Sequence, residues 1–502
     1  VASLTGDDAS AGSLLHPRVA ETHTGLVILI GELAYKVKKP VTTDFLDFST
    51  PAARERACAH EVTLNRRLAP ASYLGVGHFQ SPQGDRDNAH APEPVIVMRR
   101  HPDERRLATM VHRDEDVTGD LDRIAEILAR FHAGAYRGPE VDAEARRAAV
   151  TARWQENLTE LARYADGVVP GLEPELVAET SILAMAFVAG RAELFDRRIA
   201  EGRIVDGHAD LLADDIFCLP DGPALLDCLE FDDRLRYVDG LDDAAFLAMD
   251  LQFLGRADLA EFFLDRYLAA ANDDAPESLQ HFYIAYRAGV RAKVDCVRYG
   301  QGNPEAAADA QRHLGFALAH LHAAAVRLIL VGGRPGTGKT TLARALAKEL
   351  AAEVISTDDV RAAMVQRGEI SGEPGVLGGG LYTPANKEAV YAAVLDSARQ
   401  ALSAGRTVIL DGTWADSLYR DRARRLAAET DSATVELECV APLDASVDRI
   451  RTRIHTTSQV TPEIASALAA QGSSWPQAHP IDTTRALAVS VAEAMDICHI
   501  TT

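Results

Sequence analysis

The chain has 502 residues, 47% of them hydrophobic and 25% charged, which is material for two or three globular domains with cores of their own. Its 74 acidic residues outnumber 52 basic ones, for a formal net charge of −22. Such a field repels nucleic acid and anionic membrane, so neither is the expected partner. No run approaches the ~20 apolar residues of a membrane-spanning helix. Cys58, Cys218, Cys228, Cys296, Cys439 and Cys498 are scattered, with no C-x-x-C pair. That is the cysteine usage of a reducing cytoplasm rather than of a disulfide or zinc framework, and a cytoplasmic protein is expected.

In chain order, residues 26–30 and 33–37 are predicted strands joined by Gly31-Glu32. Thr50 is placed to cap a helix with Pro51 at its first position, running to about Leu68 before Pro70. A third strand is predicted over 95–98, so residues 1–100 read as a mostly β lobe with one helix. From Asp120 the pattern changes: Leu121, Ile124, Leu128 and Phe131 recur at helical spacing, and helices dominate residues 101–325. One interruption stands out. The apolar runs 216–219 and 224–226 flank Pro220-Asp221-Gly222-Pro223, the signature of a β-hairpin. Residues 326–502 alternate predicted strands at 327–332, 354–357, 407–410 and 435–440 with helices. This is the pattern of a parallel α/β sheet covered on both faces.

The strongest motif is Gly333-Arg334-Pro335-Gly336-Thr337-Gly338-Lys339-Thr340, a complete P-loop between a predicted strand and helix. Glycines let several backbone N–H groups converge on phosphate oxygens, and the helix N-terminus points at them. Lys339 is placed for the β- and γ-phosphates, Thr340 for Mg²⁺, and Thr341 follows in the first helical turn. In Ser356-Thr357-Asp358-Asp359-Val360-Arg361, Asp358 is a candidate base for an acceptor hydroxyl and Arg361 can orient acceptor or donor. Asp411 ends an apolar strand as a Walker B-like metal partner, and Arg449 and Arg453 share one helical face as candidate lid arginines. This segment resembles the P-loop kinases of small metabolites and of polynucleotide 5′-ends. The resemblance implies Asp358 as catalytic base and Arg361 as an acceptor-side arginine.

A second constellation lies upstream. His208-Ala209-Asp210-Leu211 fits the H-x-D-L opening of a kinase catalytic loop, with Asp210 as base and Asp215 where a metal-holding Asn is usual. Asp227 falls on the second strand of the hairpin. Counted from a turn centred near Asp221, Asp215 and Asp227 are expected opposite each other, close enough to share Mg²⁺. Ala34-Tyr35-Lys36-Val37 supplies a candidate strand lysine for the α/β-phosphates, and Glu61 on the first helix its ion-pair partner. The basic residues Arg287, Arg291, Lys293 and Arg298 share one helix; they either hold an anionic acceptor or, as preferred, pair with neighbouring carboxylates.

With Ile127-Leu128-Ala129-Arg130-Phe131-His132-Ala133 and Leu229-Glu230-Phe231, residues 20–320 resemble an aminoglycoside phosphotransferase-type kinase. Two departures are Asp215 for Asn and Leu212 where such enzymes often carry His. The order of the two halves resembles the bifunctional aminoglycoside phosphotransferase/ATP-binding proteins. That resemblance implies a two-lobed kinase-like fold followed by a P-loop α/β kinase domain. It further implies ATP and Mg²⁺ as cofactors and phosphoryl transfer to a hydroxyl of a small molecule. Two alternatives stand beside it: a degenerate, regulatory nucleotide-binding module in one half, and polynucleotide 5′-hydroxyl phosphorylation by the other.

Overall fold

The computed structural model describes residues 18–21, 25–41, 48–79, 92–373, 376, 378–452, 461, 462, 465 and 474–500. Arg453 lies outside them. Compactness does not follow chain order. One unit comprises Val1–Pro174, Arg198–Ala275 and Tyr283–Ala317; the other comprises Glu175–Arg197, Pro276–Phe282 and Leu318–Thr502.

The first unit opens with an antiparallel sheet of β1 (Arg18–Glu21), β2 (Gly25–Ile30), β3 (Leu33–Lys38), β4 (Tyr73–Phe79) and β5 (Glu93–Arg99). The spatial order is β1-β2-β3-β5-β4. The period of two along β3 puts Lys36 and Lys38 on one face. The helix Pro51–Asn65 starts where expected: Thr50 Oγ1 accepts the N–H of Ala53 at 3.1 Å. It ends at Asn65, before the expected Leu68, because residues 66–68 turn back toward β4. Cys58 and Val62 pack with Tyr73 and Ile96 beneath the sheet. β1 and β4 were not foreseen; Gly75 and Gly77 broke the apolar alternation of β4.

Within the helical part, β6 (Ile204–Asp206) pairs with β9 (Tyr237–Asp239), and β7 (Ile216–Leu219) with β8 (Gly222–Leu225). The hairpin loop is only Pro220-Asp221, since Leu219 pairs with Gly222. This corrects the expected register. Asp215 stands opposite Leu226, whose N–H donates to the Asp215 carbonyl at 2.9 Å. Asp227 lies one residue further on, at a left-handed φ of 62° that turns the chain out of the strand.

The second unit carries a five-stranded parallel sheet, β10 (Arg327–Gly332), β11 (Glu353–Ser356), β12 (Val408–Asp411), β13 (Ala433–Val440) and β14 (His479–Asp482), in the order β11-β12-β10-β13-β14. Alternate residues of β10 feed two cores, Leu328 and Leu330 on one face, Ile329 and Val331 on the other. β14 was missed because His479-Pro480-Ile481-Asp482 offers one buried apolar residue. Helical segments from the middle of the chain complete this unit. Arg191 is buried and donates to the Gly190 and Thr430 carbonyls at 2.8 and 2.7 Å, and Ser278 Oγ donates to the Gly405 carbonyl at 2.6 Å. Among the described residues no helix is long and apolar enough to cross a membrane.

Candidate active sites

In the first unit, Lys36 on β3 reaches two carboxylates. Its Nζ lies 2.8 Å from Glu61 Oε1 and 2.6 Å from Asp227 Oδ1. Lys38 takes the other Glu61 oxygen and also sits 2.5 Å from Glu230. Glu61 is sealed from solvent, and its oxygens meet the two ammonium groups as ion pairs rather than as aligned hydrogen bonds. A buried carboxylate survives only with such partners. Burial alone would raise Glu61; Lys36 and Lys38 hold it below the usual carboxylate range. Burial alone would lower Lys36; Asp227 and Glu61 raise it. Both partners thus favour the charged pair.

The loop of His208 and Asp210 is held from behind by Asp243. Its carboxylate accepts the N–H groups of His208 and Ala209 at 2.7 Å each and faces His132 Nε2 at 2.9 Å. Burial would raise Asp243, but the His132 hydrogen bond and charge hold it well below its ordinary value. Ala209 adopts a left-handed φ of 69°. Arg287 braces it, donating to the Ala209 carbonyl at 3.3 Å while forking onto Asp242 at 2.7 and 2.9 Å. Burial lowers His208, which in its neutral form donates from Nε2 to the Leu226 carbonyl at 3.0 Å and accepts the Asp210 N–H at Nδ1.

Burial pushes the Asp210 carboxyl up to about 6, with Arg291 opposing and Asp227 adding to the rise. Asp215 is raised well above the carboxylate range, by burial first and then by Asp227 and Asp210. Asp227, raised by burial but paired with Lys36, is held low, and its side chain is 37% exposed. Among the described residues no three His, Cys, Asp or Glu side chains form a ready metal cage. Two carboxylates suffice for Mg²⁺, which keeps waters and phosphate oxygens in its shell.

In the second unit the P-loop leaves β10, the central strand. Gly333, Gly336 and Gly338 have φ of 130°, 79° and 88°. A Cβ at Gly333 would meet the Cys439 carbonyl at 2.5 Å, and one at Gly336 the Ser446 carbonyl at 2.3 Å. The loop is thus a backbone cradle that side chains would fill, and it fits a polyphosphate. Thr337 is buried and donates to the Arg334 carbonyl at 2.8 Å; Lys339 Nζ donates to the same carbonyl at 2.9 Å. The Arg334 side chain and Thr341 are exposed. Thr340 Oγ1 donates to Asp411 Oδ2 at 2.7 Å, joining the two expected metal partners. Burial raises Asp411, with Thr340 and Lys339 opposing.

β11 and β12 pair Ser356 with Asp411, so the helix carrying Asp358 begins beside the P-loop. Asp358 Oδ1 lies 2.5 Å from Arg361 Nη1, and the Arg361 guanidinium sits 4.6 Å over the Tyr382 ring. Arg449, one of the expected lid arginines, is engaged within the unit. Its guanidinium donates to the Thr483 carbonyl at 2.7 Å and hydroxyl at 3.2 Å, and Thr483 Oγ1 donates to the Thr337 carbonyl at 2.6 Å. In this structure Arg449 braces the P-loop from behind. Thr483 was invisible in the sequence, since it lies far from every motif. Asp243 left one trace, an acidic pair with Asp242 in the mostly apolar helix Gly240–Phe253.

Gly336→Ala combines a left-handed φ with a collision against backbone. It is expected to destabilise the second unit by on the order of 1–3 kcal/mol and to weaken nucleotide binding there. Urea unfolding of the full chain should show the loss in one transition.

Both units therefore have kinase-type folds, the first aminoglycoside phosphotransferase-like, the second a P-loop kinase-like parallel sheet. Residues 328–473 match a family model described as an AAA domain. The chain is 56% identical over 479 residues, 95% of each chain, to uncharacterized protein Rv2004c of Mycobacterium tuberculosis (strain ATCC 25618 / H37Rv), and it belongs to that protein's family. Among solved structures, a choline/ethanolamine kinase family protein from Mesorhizobium loti is 16% identical, covering 62% of this chain and 94% of its own, with a TM-score of 0.39. A putative kinase from Chloroflexus aurantiacus J-10-fl is 21% identical, covering 34% and 98%, with a TM-score of 0.29.

Proposed function

We propose that this chain is an ATP-dependent phosphotransferase with two nucleotide sites, each passing a phosphoryl group to a hydroxyl of a small molecule. The observation that carries the reading is Lys36 held between Glu61 and Asp227, in the unit whose braced loop presents Asp210. In the first unit Lys36, positioned by Glu61, meets the α/β-phosphates, and Asp215 and Asp227 hold Mg²⁺. Asp210 takes the acceptor's proton. In the second unit Gly333, Arg334, Gly336, Thr337, Gly338, Lys339, Thr340 and Thr341 hold the phosphates, with Arg449 as a brace. Thr340 and Asp411 hold the metal, and Asp358 and Arg361 serve the acceptor. Bound Mg²⁺ supplies neutralisation of phosphate charge. At each site a bond forms from the acceptor oxygen to the γ-phosphorus as the bond to the bridging oxygen breaks, and ADP leaves with that electron pair. The acceptor's proton goes to the carboxylate. The acidic charge and the cysteine usage support a small soluble acceptor in a reducing cytoplasm.

The full chain titrated with a non-hydrolysable ATP analogue and Mg²⁺ should bind two equivalents by calorimetry, and Asp227→Asn should weaken one of them by about tenfold or more. A single equivalent in the wild type, unaffected by that substitution, would confine nucleotide to the P-loop and leave the first unit without a working site.

A further inference from the structure

The helix Glu277–Gly300 carries Arg287, Arg291, Lys293 and Arg298 in a chain of net charge −22. Three of these cations are committed to neighbours. Arg287 forks onto Asp242, Lys293 donates to Asn157 at 2.7 Å and lies 3.7 Å from Glu160, and Arg298 pairs with Asp295 at 2.9 Å. Arg291 has neither hydrogen bond nor ion pair among the described residues, although it is partly buried. A guanidinium half withdrawn from water with no counter-ion in contact loses hydration without recovering it.

Its placement is specific. Arg291 stands one helical turn after Arg287, on the same face. Arg287 touches the Ala209 carbonyl, the residue before Asp210. The charge of Arg291 acts on Asp210 and on Asp250, and Asp250 accepts the Ala213 N–H at 2.8 Å. The arginine therefore flanks the loop from Asp210 to Ala213 without closing on either acid. Guanidinium is built for bidentate recognition of phosphate and carboxylate and repels ammonium.

We propose that Arg291 is the acceptor-side anion contact of the first unit, so that the alcohol served by Asp210 carries a phosphate or carboxylate group. This rests on the phosphotransferase reading of that unit and narrows it: the acceptor is an anionic alcohol, not a polyamine sugar or a quaternary amine.

The test uses the full chain and two readouts. Inorganic phosphate, and acetate in parallel, are titrated by calorimetry into wild type, Arg291→Gln and Arg291→Lys. Any phosphate binding at the P-loop is common to all three, so the difference between proteins isolates Arg291. Wild type is expected to show a phosphate- or acetate-binding event that Arg291→Gln weakens about tenfold to a hundredfold and Arg291→Lys partly keeps. Which anion shows it separates phosphate from carboxylate. ATP consumption is then followed with glycerol 3-phosphate, glycerate, glycerol and choline. At pH 8, well above the Asp210 value of about 6 that Arg291 helps to hold down, Arg291→Gln should raise KM for the charged acceptor that is used far more than it changes kcat, with KM for ATP little changed. Identical anion binding in wild type and Arg291→Gln overturns the inference. So does turnover of glycerol or choline that the substitution leaves intact, and that result would keep the phosphotransferase reading. Anion binding that depends on Arg291, with no acceptor consumed, would uphold the anion site and remove phosphotransfer instead.

Discussion

Asp210→Asn is expected to lower acceptor-dependent ATP consumption by the first unit about a hundred- to ten-thousand-fold while leaving affinity for an ATP analogue within a few-fold. The amide keeps the shape of the side chain and removes the basic oxygen. The loop should not collapse, because it hangs on Asp243 through the His208 and Ala209 N–H groups and on Arg287 through the Ala209 carbonyl. The pH dependence has a definite sign. The proposed base can take a proton only when ionised, and burial raises Asp210 to about 6, so activity should fall as pH drops through that value. A metal ion held by Asp215 and Asp227 favours the ionised form and moves this limb lower, never higher. Steady-state rates from pH 5 to 8, with nucleotide affinity measured alongside, decide it. A variant that keeps wild-type turnover places the base elsewhere.

Lys339→Ala should weaken nucleotide binding at the P-loop by about tenfold to a hundredfold, the scale of a lost charge-assisted contact to phosphate. The ammonium donates to the Arg334 carbonyl at 2.9 Å, a bond that phosphate oxygens can replace. The substitution leaves the Thr340–Asp411 bond and the Arg449–Thr483 brace in place, so the unit should unfold at an unchanged midpoint. Calorimetry on the full chain should show one of two ATP-analogue sites impaired and the other untouched. Affinities unchanged from wild type at both sites would sink the assignment.

The parts of these sites that were legible in the sequence are those where chemistry forces local spacing. The P-loop is contiguous because its amides must converge on one anion, and His208-Ala209-Asp210 is contiguous because one loop carries it. Thr50-Pro51 announced its helix through capping chemistry that depends on three or four residues. Lys36 and Glu61 were matched across 25 positions by resemblance and meet in the structure through the packing of a helix on a sheet. What escaped depends on long-range packing. The hairpin register shifted by one residue because Gly222 pairs rather than turns, which no count from Asp221 could show. Asp243 and Thr483 act through backbone groups of distant segments, and such roles leave no periodicity. The sequence offered Arg449 as a lid arginine, and its contact with Thr483, just past the end of β14, had no signal there. Among the four cations of the basic helix, only three-dimensional pairing could separate Arg291 from the rest.

The interleaving of the second unit bears on how such a chain can be cut and exchanged. The turn at Thr430 and Asp431 is closed by Arg191, whose guanidinium lies among the Gly190, Thr430 and Asp431 carbonyls. Burial lowers that guanidinium to about 10, so it is a costly group to leave without acceptors. Phe187 stacks on Phe282 at 4.3 Å within the same unit, and Gly405 is close to Leu194 and Pro276. A gene fragment beginning at residue 326 would encode the whole P-loop and none of these supports. It would leave an apolar face and several carbonyls open to water. Recombination that moves the C-terminal third alone should therefore yield insoluble or protease-sensitive product. The segments of the second unit begin at Glu175 and enclose, in the chain, the loop of the first unit that carries His208, Asp210 and Asp215. The two kinase-type units are thereby bound to travel together as one gene.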